Sequence, residues 1–372
     1  MWNHNRIVTR AAIKLCIALV GWALAGAVHA QAVCDYASDN PYGAAPLRTN
    51  ISLNISALTI GRDVPDGTEL YRQTVNPQQM AVRCAPAVST ITRTWTLPTT
   101  PRLSSWNSGR YAGKTYETGV PGIGVAIWKA SDVFPFSQSS PNCGGGTAYC
   151  IFNFSPIFDI TIIKIGPVSP GVIQGVNLPT AALDVTPGGV AMMRITFSGS
   201  IQIVAQTCTT PDVTVPLGEH LVREFTGQNS ATSWRDFSIR LQNCPAFYGA
   251  TSYLRVDDSA TGFKESNRSL TANTLGFSLA PTTAILDAAR GIVALSPTSS
   301  GPAAATGVGV QVANTSNTPV LYNTVMPSGI TPTAVDGASY SIPLRARYIQ
   351  TGSAAPTPGP ANTSMMFTIN YQ

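Results

Sequence analysis

The sequence predicts an all-β protein with two β-sandwich domains. Apolar and polar residues alternate in segments such as Ile51–Ile55, Phe237–Leu241 and Val308–Val312, and a period of two indicates strands with one buried face. Glycine (32 residues) and proline (28 residues) are abundant and separate these segments, as turn residues do. Only Ala284–Ala289 is suited to one or two helical turns. Strands joined by turns therefore account for most of the chain.

The composition excludes several classes of protein. Charged residues are 11% and hydrophobic residues 44% of the 372 residues, which is enough apolar material for globular cores. The net charge of +5 includes Arg6, Arg10 and Lys14, and no basic run follows them, so no nucleic-acid partner is expected. His220 is the single histidine after residue 30, which argues against a histidine-rich metal site and a Ser-His-Asp triad. We expect neither a metal nor a cofactor.

Residues 1–30 have the features of a secretory signal peptide. The three basic residues precede Leu15–Val28, an apolar run of 14 residues, whereas a helix needs about 20 to span a bilayer. Small residues at Val28 and Ala30 mark a cleavage site, so the mature chain is expected to begin at Gln31. A short membrane anchor is the alternative interpretation. The pattern therefore predicts an exported protein.

The cysteines agree with export. Six of the seven lie after the leader, and an even number in an exported chain indicates disulfides. Of the many possible pairings we favour three sequential ones, because each closes a loop inside one predicted domain: Cys34–Cys84, Cys143–Cys150 and Cys208–Cys244. A zinc site is the competing interpretation, but the chain lacks the CxxC spacing and the histidines of such sites.

A domain boundary is predicted at the turn-rich segment Asp184–Gly189, giving domains at 31–188 and 189–372. The segment separates two sets of cysteines, and three of the four tryptophans after the leader lie before it.

The second domain carries an ordered set of motifs. They are Gly199–Cys208, Phe237–Cys244, Gly307–Val312, Leu344–Tyr348 and Phe367–Gln372. This order resembles the pilin domain of fimbriae that Gram-negative bacteria assemble by the chaperone–usher pathway, over about residues 195–372. The two family cysteines match Cys208 and Cys244, the penultimate tyrosine matches Tyr371, and the glycine fourteen places from the end matches Gly359.

The resemblance implies an incomplete immunoglobulin-like sandwich that lacks its last strand. In the family a periplasmic chaperone fills the gap, and the adjacent subunit then donates a strand after passage through an outer-membrane usher. This is strand addition to an open sheet. One face of the final segment is apolar, and the terminal carboxylate is expected to bind basic chaperone side chains. The expected interface comprises Gly359, Met365, Phe367, Ile369, Tyr371 and Gln372. The alternative is a complete sandwich that ends in this strand.

Cys34 lies close to the expected mature start, so we expect the N-terminus to be tied into a folded domain and to lack the flexible donor segment of ordinary pilins. The arrangement resembles two-domain fimbrial tip adhesins. The resemblance implies export through the periplasm to the cell surface, a position at the fimbrium tip, and a receptor-binding domain at 31–188. The receptor is expected to be a host glycan or an extracellular-matrix protein.

Two polar loop regions are candidates for the receptor site, because binding residues concentrate on loops of a rigid scaffold. The expected receptor-binding residues are Trp106, Asn107, Tyr111, Asp132 and Asn142. Trp95 and Trp128 are flanked by strand-like sequence and are expected in the core instead.

Two other functions stay open. One is a minor structural pilin without receptor binding. The other is a secreted glycan-active enzyme, which would need two carboxylates that face each other across a sugar. No pair among the acidic residues of the first domain has a motif, so no catalytic residue is assigned and the protein is not expected to be an enzyme.

Overall fold

The computed structural model of the protein describes residues 32–141 and 148–372. The described chain contains 26 strands and only short 3-10 helices, at Gly109–Tyr111, Gly175–Asn177 and Val222–Glu224. The strands are β1 (Val33–Tyr36), β2 (Leu47–Ser52), β3 (Ala57–Thr59), β4 (Glu69–Asn76), β5 (Met80–Ala85), β6 (Thr90–Thr96), β7 (Tyr116–Glu117), β8 (Ile123–Lys129), β9 (Asp132–Val133), β10 (Phe136–Pro141), β11 (Cys150–Phe154), β12 (Phe158–Lys164), β13 (Gly171–Gln174), β14 (Ala181–Thr186), β15 (Val190–Ser198), β16 (Ser200–Val204), β17 (Arg235–Cys244), β18 (Ala250–Ser259), β19 (Gly262–Thr271), β20 (Leu275–Pro281), β21 (Ile285–Asp287), β22 (Ile292–Val293), β23 (Val308–Asn314), β24 (Met326–Pro327), β25 (Ala338–Gln350) and β26 (Met365–Tyr371).

The all-β prediction is confirmed. The segment suited to a helical turn, 284–289, contains β21 instead. Within the two described ranges, no helix has the length and apolar character needed to cross a membrane. The expected signal peptide, residues 1–30, lies outside the described residues.

The first structural unit is a sandwich of two large sheets with two small sheets beside them. One large sheet has the order β10-β6-β14-β15-β2, and the other has the order β19-β18-β4-β12-β8-β7, with β9 paired to β8. Their inner faces share one hydrophobic core that includes Trp95, Val125, Ile160 and Leu183. The small sheets are β1-β5-β11 and β13-β16-β3.

Strands β8 and β12 are buried along almost their whole length. Their inner residues face the core, and their outer residues pack under the loop that contains the first 3-10 helix, where Tyr111, Trp128 and Ile163 form a small cluster of their own. The burial predicted for Trp95 and Trp128 is confirmed. This loop forms one side of a candidate site on the first unit.

The second unit is a smaller sandwich. Its sheets have the orders β17-β25-β23-β22-β21 and β24-β20-β26, and they enclose a second core with Ile239, Leu279, Val310, Leu344 and Ile369. Strand β26 lies at the edge of its sheet, so one side of its backbone has no neighbouring strand among the residues that the structure describes.

In the structure, the chain passes from the first core to the second after the predicted boundary at 188/189. The turn-rich segment joins β14 to β15 as a hairpin, with Val185 paired to Val190. Strand β15 pairs with β2, and β16 pairs with β3 and β13. The first core extends without a break to Ile203 and regains only two buried residues later in the described chain, Leu254 and Val256, whereas the second core begins at Cys208. The sequence does not distinguish the two structures, because a tight hairpin turn uses the same residue types as a turn-rich domain boundary.

A hairpin from the second half completes a sheet of the first unit. Strand β18 pairs in parallel with β4, and β19 pairs with β18. Leu254 and Val256 of β18 are buried in the first core. At the far end of the pair, the Tyr42 hydroxyl donates to Asp258 at 2.6 Å. The two halves of the chain are therefore interlocked through a shared sheet.

Two of the three predicted disulfides are confirmed. Cys34–Cys84 joins the paired strands β1 and β5. Cys208–Cys244 closes a loop with a sequence separation of 36, which in the loop-entropy account stabilises the fold by about 4 kcal/mol. Cys150 is disulfide-bonded, and its predicted partner Cys143 lies outside the described residues.

Candidate functional site

The edge strand β26 presents alternating faces. Ile369 and Tyr371 are buried and Met365 and Phe367 are half-buried, whereas Met366 between them is 65% exposed. This is the alternation predicted from the sequence, and it follows from the two-residue period of a strand. The apolar face of the strand therefore points between the two sheets of the second unit.

The direction of the backbone hydrogen-bonding groups of β26 alternates with the same period of two residues. Thr274 and Gln372 exchange both of their backbone hydrogen bonds, at 2.7 and 3.0 Å, and the antiparallel register with β20 continues from there to Met365. In such a ladder every second residue turns its N–H and C=O away from its partner strand. Those residues are Met365, Phe367, Ile369 and Tyr371. The same four residues thus turn their side chains toward the core side of the sheet and their free backbone groups toward its open edge.

An apolar groove runs beside this edge. It encloses about 480 Å³. Its lining includes Val215, Leu217, Phe237, Ile239, Leu279, Val310, Val312, Met365 and Phe367. Such a groove next to a free strand edge can accept an extended peptide, since backbone hydrogen bonds supply affinity and the side-chain pockets supply selectivity.

The opposite wall of the groove is the segment 213–218, which is not assigned to a strand. Val213, Val215 and Leu217 alternate as half-buried residues, so every second side chain faces the groove. The wall is held at its end by His220, whose Nε2 lies 3.1 Å from the Leu217 carbonyl oxygen. The other ring nitrogen, Nδ1, lies 2.9 Å from Glu224 Oε2. The single histidine of the described chain thus has a structural position at the groove.

The remaining residues of the predicted strand interface surround this groove. Gly359 lines an adjoining cavity of about 420 Å³, and a Cβ there would overlap the carbonyl oxygen of Ala303. The hydroxyl of Tyr371 accepts a hydrogen bond of 3.0 Å from the N–H of Cys208, and burial raises the pKa of Tyr371. Gln372 is exposed. The structure thus places Met365 and Phe367 in the groove, Gly359 in the adjoining cavity and the other three residues at the end of the same strand. The role of the set in strand binding stays a prediction.

A second candidate site lies on the first unit. It is a cavity of about 330 Å³ between the segment 66–69 and the loop with the first 3-10 helix. Its chemistry comes from two carboxylates (Asp66 and Glu69), a half-buried indole (Trp106) and a guanidinium group (Arg110). Polar groups of both signs around one aromatic surface suit a polar ligand with an apolar face.

Each wall of this cavity is fixed by contacts to the sheet below. The Trp106 ring lies over Gly67. Asp66 forms an ion pair with Lys164. The Arg110 guanidinium stacks on the Trp128 ring at 3.7 Å and donates to the carbonyl of Ala130.

The structure brings together only part of the predicted receptor set. Trp106 and Tyr111 line the cavity, and Asn107 is exposed on the same loop. Asp132 is exposed at the start of β9 and does not line it. Asn142 lies outside the described residues. Sequence reasoning missed Asp66 and Glu69, because nothing in the sequence shows that their turn packs against a loop about forty residues later.

Comparison with known proteins finds fimbrial proteins that match the second unit, and one relative matches nearly the whole chain. Residues 195–372 match the family model described as "Fimbrial protein". A fimbria adhesin protein of Klebsiella pneumoniae is 22% identical over 366 residues, covering 96% of this chain and 100% of that protein. Fimbrial subunit type 1 of Salmonella typhimurium is 29% identical over 197 residues, covering 51% of this chain and 89% of that protein. The crystal structure of the CupB6 tip adhesin from Pseudomonas aeruginosa is 16% identical, covers 91% of this chain and 93% of its own, and has a TM-score of 0.32.

The groove-bearing half of the chain is therefore a fimbrial protein domain, and the resemblance predicted from the sequence is confirmed. Residues 195–372 are thus similar to fimbrial proteins, and over nearly its whole length the chain is similar to a fimbria adhesin protein. Fimbrial proteins are structural components rather than enzymes, and they are exported to the cell surface as parts of fimbriae.

Proposed function

We propose that the protein is a fimbrial tip adhesin that attaches bacteria to a receptor through its first unit and joins the fimbria through its second. The observation that carries this proposal is the free edge of β26 beside an apolar groove. A periplasmic chaperone fills the groove first. After passage through the outer-membrane usher, the adjacent subunit replaces it with a donor strand.

The groove favours a strand with alternating apolar side chains. Val310 and Ile239 form its floor, and Val215 and Phe367 lie on opposite walls. Burial of one large aliphatic side chain in such a setting is worth about 1.5–3 kcal/mol, so a few alternating residues give a stable complex. An uncovered edge of this kind is also prone to aggregation, which gives the chaperone its purpose.

The receptor in this proposal is a glycan, bound in the cavity beside Trp106. The volume of about 330 Å³ is at the small end of ligand pockets, which suits one or two sugar rings better than a protein segment. Trp106 provides a stacking surface for the apolar face of a sugar, while Asp66 and Glu69 provide acceptors for its hydroxyl groups.

The test of the strand-acceptor function is a matched pair of variants on β26. Phe367→Asp puts a carboxylate into the groove, at a cost of several kcal/mol unless it is protonated or paired, whereas Met366→Asp changes the exposed face of the same strand. Co-purification with the periplasmic chaperone of the same assembly system is expected to be lost in the first variant and kept in the second. Equal behaviour of the two variants, or a wild-type chain that never binds the chaperone, would contradict the proposal.

A further inference from the structure

The free edge of the last strand is partly occupied by the first unit. The backbone N–H of Asp63 donates to the Tyr371 carbonyl at 3.3 Å, and the N–H of Tyr371 donates to Asp63 Oδ2 at 3.0 Å. Arg62 Nη2 donates to the carbonyl of Ile369 at 3.2 Å. The contact is so close that a Cβ on Gly61 would overlap the Tyr371 carbonyl.

These contacts use the backbone groups that point away from β20. Of the four outward-facing residues, Tyr371 has both of its groups taken, and Ile369 has its carbonyl taken. For Met365 and Phe367, no partner for the outward-facing backbone groups is found within the described ranges. The open edge is therefore shorter than the strand.

We propose that Gly61–Asp63 is an internal cap on the acceptor strand, so that a partner strand pairs freely along Met365–Phe367 and reaches Tyr371 only by displacing the cap. This inference rests on the proposed strand-acceptor function, and it concerns the length of the partner strand rather than its existence. The partner is an extended peptide whose alternating apolar residues fill the groove and whose pairing ends at Phe367.

The cap and a longer partner strand compete for the same space. Neighbouring strands lie about 4.7–4.9 Å apart in the hydrogen-bonding direction, and the backbone of Gly61–Asp63 already lies against this stretch of the edge. The cap contributes three hydrogen bonds, of which one has a charged donor and one a charged acceptor. A strand that displaces it regains only neutral backbone bonds, which are weaker than charge-assisted ones.

The test uses the full chain and two synthetic peptides with alternating valine and threonine. The short peptide is designed to pair with Met365–Phe367, and the long one continues past Tyr371. Asp63→Ala removes the acceptor for the Tyr371 N–H, Asp63→Asn retains an oxygen acceptor, and Asp39→Ala is a control at an exposed position of the first unit.

The long peptide is expected to bind the Asp63→Ala variant about fivefold more tightly than the wild type, the factor that corresponds to one hydrogen bond. The short peptide is expected to bind all four proteins alike. Hydrogen exchange of the Tyr371 amide is expected to be slow in the wild type, Asp63→Asn and Asp39→Ala, and at least about fivefold faster in Asp63→Ala.

The two possible failures are distinct. If neither peptide binds the wild type or the variants, the strand-acceptor function is wrong and the cap has no role. If both peptides bind but Asp63→Ala changes neither the affinity for the long peptide nor the exchange of the Tyr371 amide, the acceptor function stands and the cap is overturned.

Discussion

Tyr111 shows how burial alters the role of a residue within a binding loop. Its side chain is buried, and its hydroxyl donates to Glu69 Oε1 at 2.7 Å. Burial raises the pKa of Tyr111, and the bond to the Glu69 carboxylate raises it further. The phenol therefore stays protonated and holds Glu69 in place, whereas Trp106 is the aromatic ring that a ligand can contact.

The first prediction at this scale concerns Trp106. Trp106→Ala removes the stacking surface of the cavity, so glycan binding by the full chain is expected to weaken at least about tenfold, or 1.4 kcal/mol. The measurement is a glycan array followed by titration of the best ligand. Tyr149→Ala is the matched control, because Tyr149 is an exposed aromatic residue of the same unit that lies outside the cavity.

Equal loss of binding in both variants would place the receptor site elsewhere. A wild-type chain that binds no glycan but binds an extracellular-matrix protein would replace the glycan by a protein receptor. A wild-type chain that binds neither would favour the minor structural pilin.

At the scale of elements, the strands were predictable from alternation wherever one face is buried and the other faces solvent. Residues 365–371 are such a case, and their alternation survives in the structure. The partner of β18 was not predictable from alternation, since a strand pattern does not state which sheet the strand joins. The turn after β14 does not mark the predicted domain boundary for a similar reason, because its residues fit a hairpin as well as a boundary. Of the residues around the pocket beside Trp106, only those of the aromatic loop were predicted, whereas Asp66 and Glu69 on the other side were not.

The prediction at this scale concerns β18. Leu254 comes from the second half of the sequence but is fully buried in the first core, so Leu254→Ala is expected to destabilise the first unit by about 2–5 kcal/mol. Leu270→Ala on β19 is the control, since that side chain is 60% exposed and such surface changes cost about 0.5 kcal/mol or less. The measurement is denaturant unfolding followed by tryptophan fluorescence. An unchanged midpoint for Leu254→Ala would show that the hairpin does not dock on β4.

At the scale of the whole molecule, the two units share both a sheet and a strand edge. The β18–β19 hairpin extends the sheet of the first unit, and Gly61–Asp63 contacts the last strand of the second. The two units are therefore joined through two contacts as well as through the chain that connects Ile203 to Cys208. Neither contact is formed by residues close in sequence, which is why the sequence alone indicated two separable domains.

The last prediction follows from this interlocking and concerns a fragment that ends at residue 188, the predicted domain boundary. That fragment lacks β15 and β16, whose side chains Ile195, Phe197, Ile201 and Ile203 are almost completely buried in the first core. It is expected to aggregate, since the burial free energy of several such side chains exceeds the usual stability of a domain, about 5–15 kcal/mol.

A fragment of residues 32–207 restores both strands but leaves the outer edge of β4 open where β18 pairs with it. We expect this fragment to become cooperative in thermal unfolding only when a peptide of residues 250–271 is added, and a peptide with Leu254→Asp and Val256→Asp should fail to rescue it. Cooperative unfolding of the 32–188 fragment alone would show that the first core does not need the second half of the chain.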